Sequence, residues 1–241
     1  MIRRAWRAIC FLALGLGCPL EGCSGTETGN PKPIAIELRF TAYSDDFSQV
    51  SVGLQGGALR VDHAFVMLDS VQLLPCSGSG KPLELSVGAL ELTERPSRVL
   101  VAESQDVDFC AARVLLTRGP ADIAPELAGR SAVVEGVRAD GVPFQIASEL
   151  ELTVELTSGP PASPFQSRLL LGFNLAKWLS GVDVETAAAD NGMVTIDSTH
   201  GVDALAVFDA QLKSTVALFD DADGNGQLAG DNQPPAASAE P

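Results

Sequence analysis

Apolar and polar residues alternate along most of this chain. In "PIAIELRF" Ile34, Ile36, Leu38 and Phe40 interleave with Ala35, Glu37 and Arg39, the period-2 signature of a strand with one buried face. The alternation returns at Leu83, Leu85 and Val87, and again in "ELELTVELT", where Leu150, Leu152, Val154 and Leu156 separate Glu149, Glu151, Thr153 and Glu155. Between Val133 and Ile146, Asp140-Gly141 supplies a positive-φ turn and predicts a hairpin. Further strands are expected over 64–74, 98–102, 111–117 and 168–173. Many short strands with wet faces point to a mainly β fold, an antiparallel β-sandwich.

The period changes after Asp197. Val202, Leu205, Phe208, Leu212, Val216 and Phe219 fall at steps of three and four, which predicts a C-terminal amphipathic helix over 202–219 followed by a short acidic loop, 220–232. A shorter helix is expected over Leu175 to Leu179 with Asn174 as its cap and Trp178 as a core anchor. No internal repeat is visible. The expected organisation is a signal over 1–22, a flexible tether over 23–33, one domain over 34–232 and a disordered tail over 233–241.

The amino terminus carries an address. Arg3, Arg4 and Arg7 precede an apolar stretch from Ala8 to Gly17, too short to span a bilayer, as in a secretory signal. Leu20, Glu21, Gly22 and Cys23 resemble a bacterial lipobox, from which Glu21 departs; Cys18 is a weaker rival. Cys23 is therefore the candidate lipidation site. "CSGTETGNP" resembles the start of mature surface lipoproteins of myxobacteria and related Gram-negative bacteria. "DSTHGVDALAVFDAQLKSTVALFDDADGNG" is similar to their closing segment, a helix running into an Asp/Asn/Gly loop. The order of strands is weakly similar to a bacterial lipoprotein domain of unknown function that is described as carbohydrate-binding. These resemblances imply a membrane partner through an N-terminal lipid, with Ser24 as an outer-membrane sorting signal, and an outer-membrane location.

Cysteine parity agrees. With Cys10 and Cys18 in the signal and Cys23 acylated, Cys76 and Cys110 remain as an even pair, expected as a disulfide; two buried free thiols are the alternative. Removing residues 1–22 turns 16 basic and 31 acidic residues into 13 and 30, a net charge of −17. That balance opposes nucleic acid and anionic lipid as partners and favours divalent cations or plain solubility.

Chemistry-bearing motifs are few. No GxSxG occurs, and His63 and His200 stand outside any motif. "SGSGKP" lacks the full phosphate-loop spacing and reads as a hairpin loop. The exception is "DDADGNGQLAGDN". Asp221, Asp223 and Asn225 occupy the first, third and fifth positions of a calcium loop, Gly226 the sixth and the Gln227 carbonyl the seventh. Asn232 stands at the twelfth in place of a bidentate Glu, so affinity is expected to be weak, on the order of 10⁻⁴ to 10⁻³ M. The competing reading is an acidic turn that binds nothing. As a whole the sequence suggests a non-catalytic envelope lipoprotein with a structural or partner-binding role, calcium-stabilised; the alternative is a carbohydrate-binding one, although Trp178 and Tyr43 are the only Trp and Tyr left after the signal.

Overall fold

The computed structural model describes residues 32–46, 48–52, 57–77, 80–94, 98–105, 108–159, 163–228 and 233–239. Residues 33–241 form one compact unit. The expected signal, Cys23 and most of the tether lie outside the described residues, as does Asn232.

The chain is mainly β. Its strands in order are β1 (Ile34–Tyr43), β2 (Val50–Val52), β3 (Leu59–Pro75), β4 (Leu83–Glu91), β5 (Val99–Ser104), β6 (Phe109–Leu116), β7 (Ala132–Arg138), β8 (Pro143–Ser148), β9 (Leu152–Thr157), β10 (Arg168–Asn174), β11 (Val194–Ile196), β12 (Val216–Asp220) and β13 (Ala237–Ala239). Among the described residues, two helices, α1 (Leu175–Leu179) and α2 (Val202–Ser214), complete the set, with a 3-10 turn at Pro125–Leu127. The described strands join in one mixed sheet, in the order β11-β8-β7-β3-β6-β9-β13-β12-β10-β1-β5, which curls into a half-barrel. Where a sandwich of two antiparallel sheets was expected, the chain makes a single sheet in which β1 with β10, β8 with β11 and β2 with β3 run parallel. Alternation reports which face of a strand is buried and carries no information about its neighbours, so it could not separate these architectures.

β3 is the spine. Its 17 residues pair with β7 over Leu59–Val66 and with β6 from Leu68, while β2 and β4 take its other edge. Irregularities between Val61 and His63 and between Leu68 and Ser70 allow so long a strand to bend with the sheet. The free edge of β1 meets the end of β4 through a bond from Ala42 N to Leu92 O at 3.1 Å. The Cys76–Cys110 disulfide joins the ends of β3 and β6, with Cα atoms 4.9 Å apart.

The alternation seen in sequence is realised in the core. Ile36, Leu38 and Phe40 of β1 are buried, and Glu37 and Arg39 take the other face. α1 forms where expected: Asn174 Oδ1 accepts a hydrogen bond from Lys177 N at 3.1 Å and caps the helix. This cap turns Trp178 fully inward, where it meets Phe173 and Phe208 edge-on at 5.8 and 5.9 Å between ring centroids. Burying that much aromatic surface outweighs the indole N–H, which finds no acceptor inside.

The C-terminal helix is shorter than its periodicity predicts. α2 buries Leu205, Phe208 and Leu212 and stops at Ser214, and Thr215 then donates its hydroxyl to Gln211 O at 2.8 Å. Val216 to Phe219, expected as the last helical turn, are instead β12, a strand with every one of these four residues buried. A short, wholly apolar run satisfies helical and extended patterns equally, and the β-branched Val216 and aromatic Phe219 favour the sheet. The tail also departs from expectation, because β13 pairs with both β12 and β9 and buries Ala237.

A turn at the start of α2 gives a pH-dependent result. Burial opposes ionisation of Asp197, but hydrogen bonds from Thr199 and His200 outweigh it and hold the carboxyl down to about 2. A carboxyl lowered on folding contributes stability above its unfolded pKa and loses it as pH falls toward the folded value. Asp197→Ala should therefore cost about 1 kcal/mol at neutral pH after solvent screening, and progressively less as pH falls toward 2. Thermal melts from pH 2 to 7 check this, and a cost that does not vary with pH contradicts it.

Candidate functional site: the acidic loop and the cleft beside it

The loop leaves β12 at Asp220. Asp221 N donates to Arg168 O at 2.9 Å, which ties the loop to the end of β10, and the Asp221 side chain turns inward, leaving the residue 2% exposed. The loop then closes on its own side chains. Gly226 N donates to the Asp221 carboxylate at 3.2 and 3.4 Å, Asn225 N to Asp223 Oδ1 at 3.3 Å, and Gln227 N to Asn225 Oδ1 at 2.6 Å. Gly226 has φ of 71°, in the left-handed region that glycine occupies without strain. Leu228 packs against Leu170, Ala217 and Phe219 on the outer side of the sheet.

Sequence reasoning missed the cation already present. Arg39, outward on β1, places Nε 3.5 Å from Asp221 Oδ2. Glu37 holds that guanidinium from the far side at 4.0 Å and reaches Arg168 at 3.8 Å. Burial pushes the Asp221 carboxyl up, Gly226 N–H pulls it back, Asp223 raises it again and Arg39 opposes. Arg39 lies far away in sequence and is brought to the loop only by the β1–β10–β12 register.

The structure thus brings Asp221, Asp223, Asn225 and Gln227 onto one turn. Among the described residues no group of three or more His, Cys, Asp or Glu side chains is placed to hold a metal ion. The donors are oxygens, as a calcium loop needs, but both carboxylates are engaged by the protein: Asp221 faces Arg39 at 3.5 Å and accepts from Gly226 N, and Asp223 accepts from the Asn225 amide at 2.6 Å. The histidines lie elsewhere. His63 Nδ1 sits 2.6 Å from Glu91 Oε1, bridging β3 and β4, and His200 belongs to the Asp197 turn.

Beside the loop opens a cleft of about 580 Å³, lined by Tyr43, Asp45, Lys177, Phe219, Gln227 and Leu228 among others. These side chains come from β1, α1, β12 and the loop, so no local motif announces them. Tyr43 and Phe219 meet edge to face, with centroids 5.8 Å apart. Gly172 of β10 makes this packing possible, since a Cβ there would lie 2.8 Å from the Phe219 ring and 2.9 Å from that of Tyr43. Burial raises the pKa of the half-buried Tyr43, and a bond with Asn174 draws it back. Lys177 Nζ lies 3.7 Å from Asp45 Oδ2 at the mouth. Compared with known families, curated proteins and solved structures, the chain matches none.

Proposed function

We propose that this chain is a non-catalytic envelope lipoprotein, held in the outer membrane through an acylated Cys23, whose β domain has a structural or partner-binding role. The observation that carries this reading is the Cys76–Cys110 bond. Disulfides persist in oxidising compartments, and this one accounts for both cysteines of the domain, leaving Cys23 as the remaining cysteine after position 22. The cleft supports the partner-binding part, being a concavity of the size that small ligands occupy. Calcium, where bound, would be held by Asp221, Asp223, Asn225 and the Gln227 carbonyl and would fasten the loop without taking part in a reaction.

Cys23→Ala tests the anchor. The variant should lose incorporation of a clickable fatty acid and move from the membrane to the soluble envelope fraction, while the wild-type chain labels and stays with the outer membrane. Persistent labelling of the variant transfers the anchor to Cys18. Absence of labelling in the wild type ends the lipoprotein reading.

A further inference from the structure

The described sheet ends at an unguarded edge. β5 is the last strand in the order, and no described strand pairs with its far side; β4, joined to it through residues 92–98, pairs with β3 instead. Such an edge offers backbone N–H and C=O groups to another chain. The other described edges are blunted: β2 and β11 have three residues each, and β4 leaves Glu84 and Ser86 exposed and carries Gly88 at φ of 92°. β5 has no such device. Its sequence, VLVAES, holds no proline, no lysine and no inward charge, and its outer face carries Val99 and Val101, 41% and 63% exposed.

Charge indicates which partner this edge accepts. A net charge of −15 makes two copies of the chain repel in most orientations, yet around β5 the charges cancel, Arg39 and Arg98 against Glu37 and Glu103. The pattern is also self-complementary. On the outer face Arg39 lies beside Val99, Glu37 beside Val101 and Ala35 beside Glu103. A second copy running antiparallel, related by a two-fold axis at Val101, sets Val101 against its own counterpart and Glu103 against the other copy's Val99, one strand from that copy's Arg39. Opposite charges then converge at both ends of the contact.

We propose that β5 is a self-association edge, through which two copies of this chain join antiparallel and continue the sheet from one domain into the next. The contact does not depend on the lipid at Cys23 and adds a second copy to the partners of the β domain. Six residues make a small interface, so its dissociation constant is expected on the order of 10 µM.

Sedimentation equilibrium of the full-length protein, in a density-matched polyoxyethylene detergent, should show a monomer–dimer equilibrium between about 1 and 200 µM. Val101→Lys, at an exposed position that leaves the fold intact, should weaken it about tenfold, whereas Val202→Lys, at a valine 56% exposed elsewhere, should not. Val101→Cys should give a disulfide-linked dimer on oxidation, because facing residues of an antiparallel pair have Cα atoms about 4.5 to 5.5 Å apart, within disulfide reach. The wild-type chain, with the same remaining cysteines, should not. Glu103→Cys should link to Val99→Cys in a mixture and not to itself. Linkage of Glu103→Cys to itself without the mixed product overturns the two-fold at Val101. A monomer at every concentration overturns the self-association, and a dimer that Val101→Lys leaves unchanged overturns the β5 edge. Either result leaves the cleft as the candidate for partner binding.

Discussion

Replacing both Cys76 and Cys110 by serine should lower the folding free energy by about 3 to 4 kcal/mol. The bond closes a loop with a sequence separation of 34, containing β4 and β5. In the chain-entropy account most of the effect lies in the unfolded state, which gains freedom when the link is cut. The native ends are held together anyway: β3 and β6 pair up to Pro75 and Phe109, and Cys76 N donates to Asp108 O at 2.8 Å. The serine variant should therefore keep the wild-type far-ultraviolet spectrum and unfold at lower denaturant. Cys110 is buried but Cys76 is exposed, so dithiothreitol should reach the bond in the folded protein and reproduce the shift. The serine variant should be indifferent to the reductant. A loss below about 1 kcal/mol would show that the unfolded chain stays locally compact over this segment.

The sequence announced faces and hid neighbours. Leu38, Phe40, Val154 and Leu156 were legible as buried because period 2 is a property of each strand alone, and all four are buried. The hairpin at Asp140-Gly141 was legible for a similar reason: Gly141 has φ of 85°, and the turn's chemistry is local. The parallel pairing of β1 with β10 was not, since its partners lie more than a hundred residues apart and nothing in either strand encodes the other. β12 was misread because Val216 and Phe219 extend the α2 stripe by coincidence of spacing, while the hydroxyl of Thr215, the only local sign of an end, is a weak one. β2, β11 and β13 have three residues each, too few for any period to register.

The site divides in the same way. Loop chemistry was readable, because Asp221, Asn225 and Gly226 act on amides within five residues of themselves. The cleft and Arg39 were unreadable, because each is assembled across β1, β10 and β12. A chain this acidic makes an Asp-rich turn unremarkable by composition. Only a cation brought from elsewhere in the fold shows that Asp221 is set apart from the solvated carboxylates around it.

Asp221→Ala should cost about 2 to 3 kcal/mol, because it removes the acceptor for Gly226 N–H and leaves the Arg39 guanidinium with only the more distant Glu37, at 4.0 Å, as counter-charge. Asp221→Asn keeps an acceptor and should cost about half as much, so urea melts of the pair separate the hydrogen bond from the charge. Calcium, where it binds, would compete with Arg39 for the same carboxylate. With affinity on the order of 10⁻³ M, 10 mM calcium should stabilise the wild-type protein by about 1.4 kcal/mol, and neither Asp221 variant should respond. Arg39→Gln then decides what the guanidinium does. Removing the resident cation frees Asp221 Oδ2, so calorimetry should show calcium binding several-fold tighter than in the wild type, even though the variant is less stable without the metal. If neither protein gives saturable heat at millimolar calcium, Arg39 is the permanent counter-ion of the loop. The Asp221 carboxylate is then a buried clamp on Gly226, and the calcium reading is withdrawn.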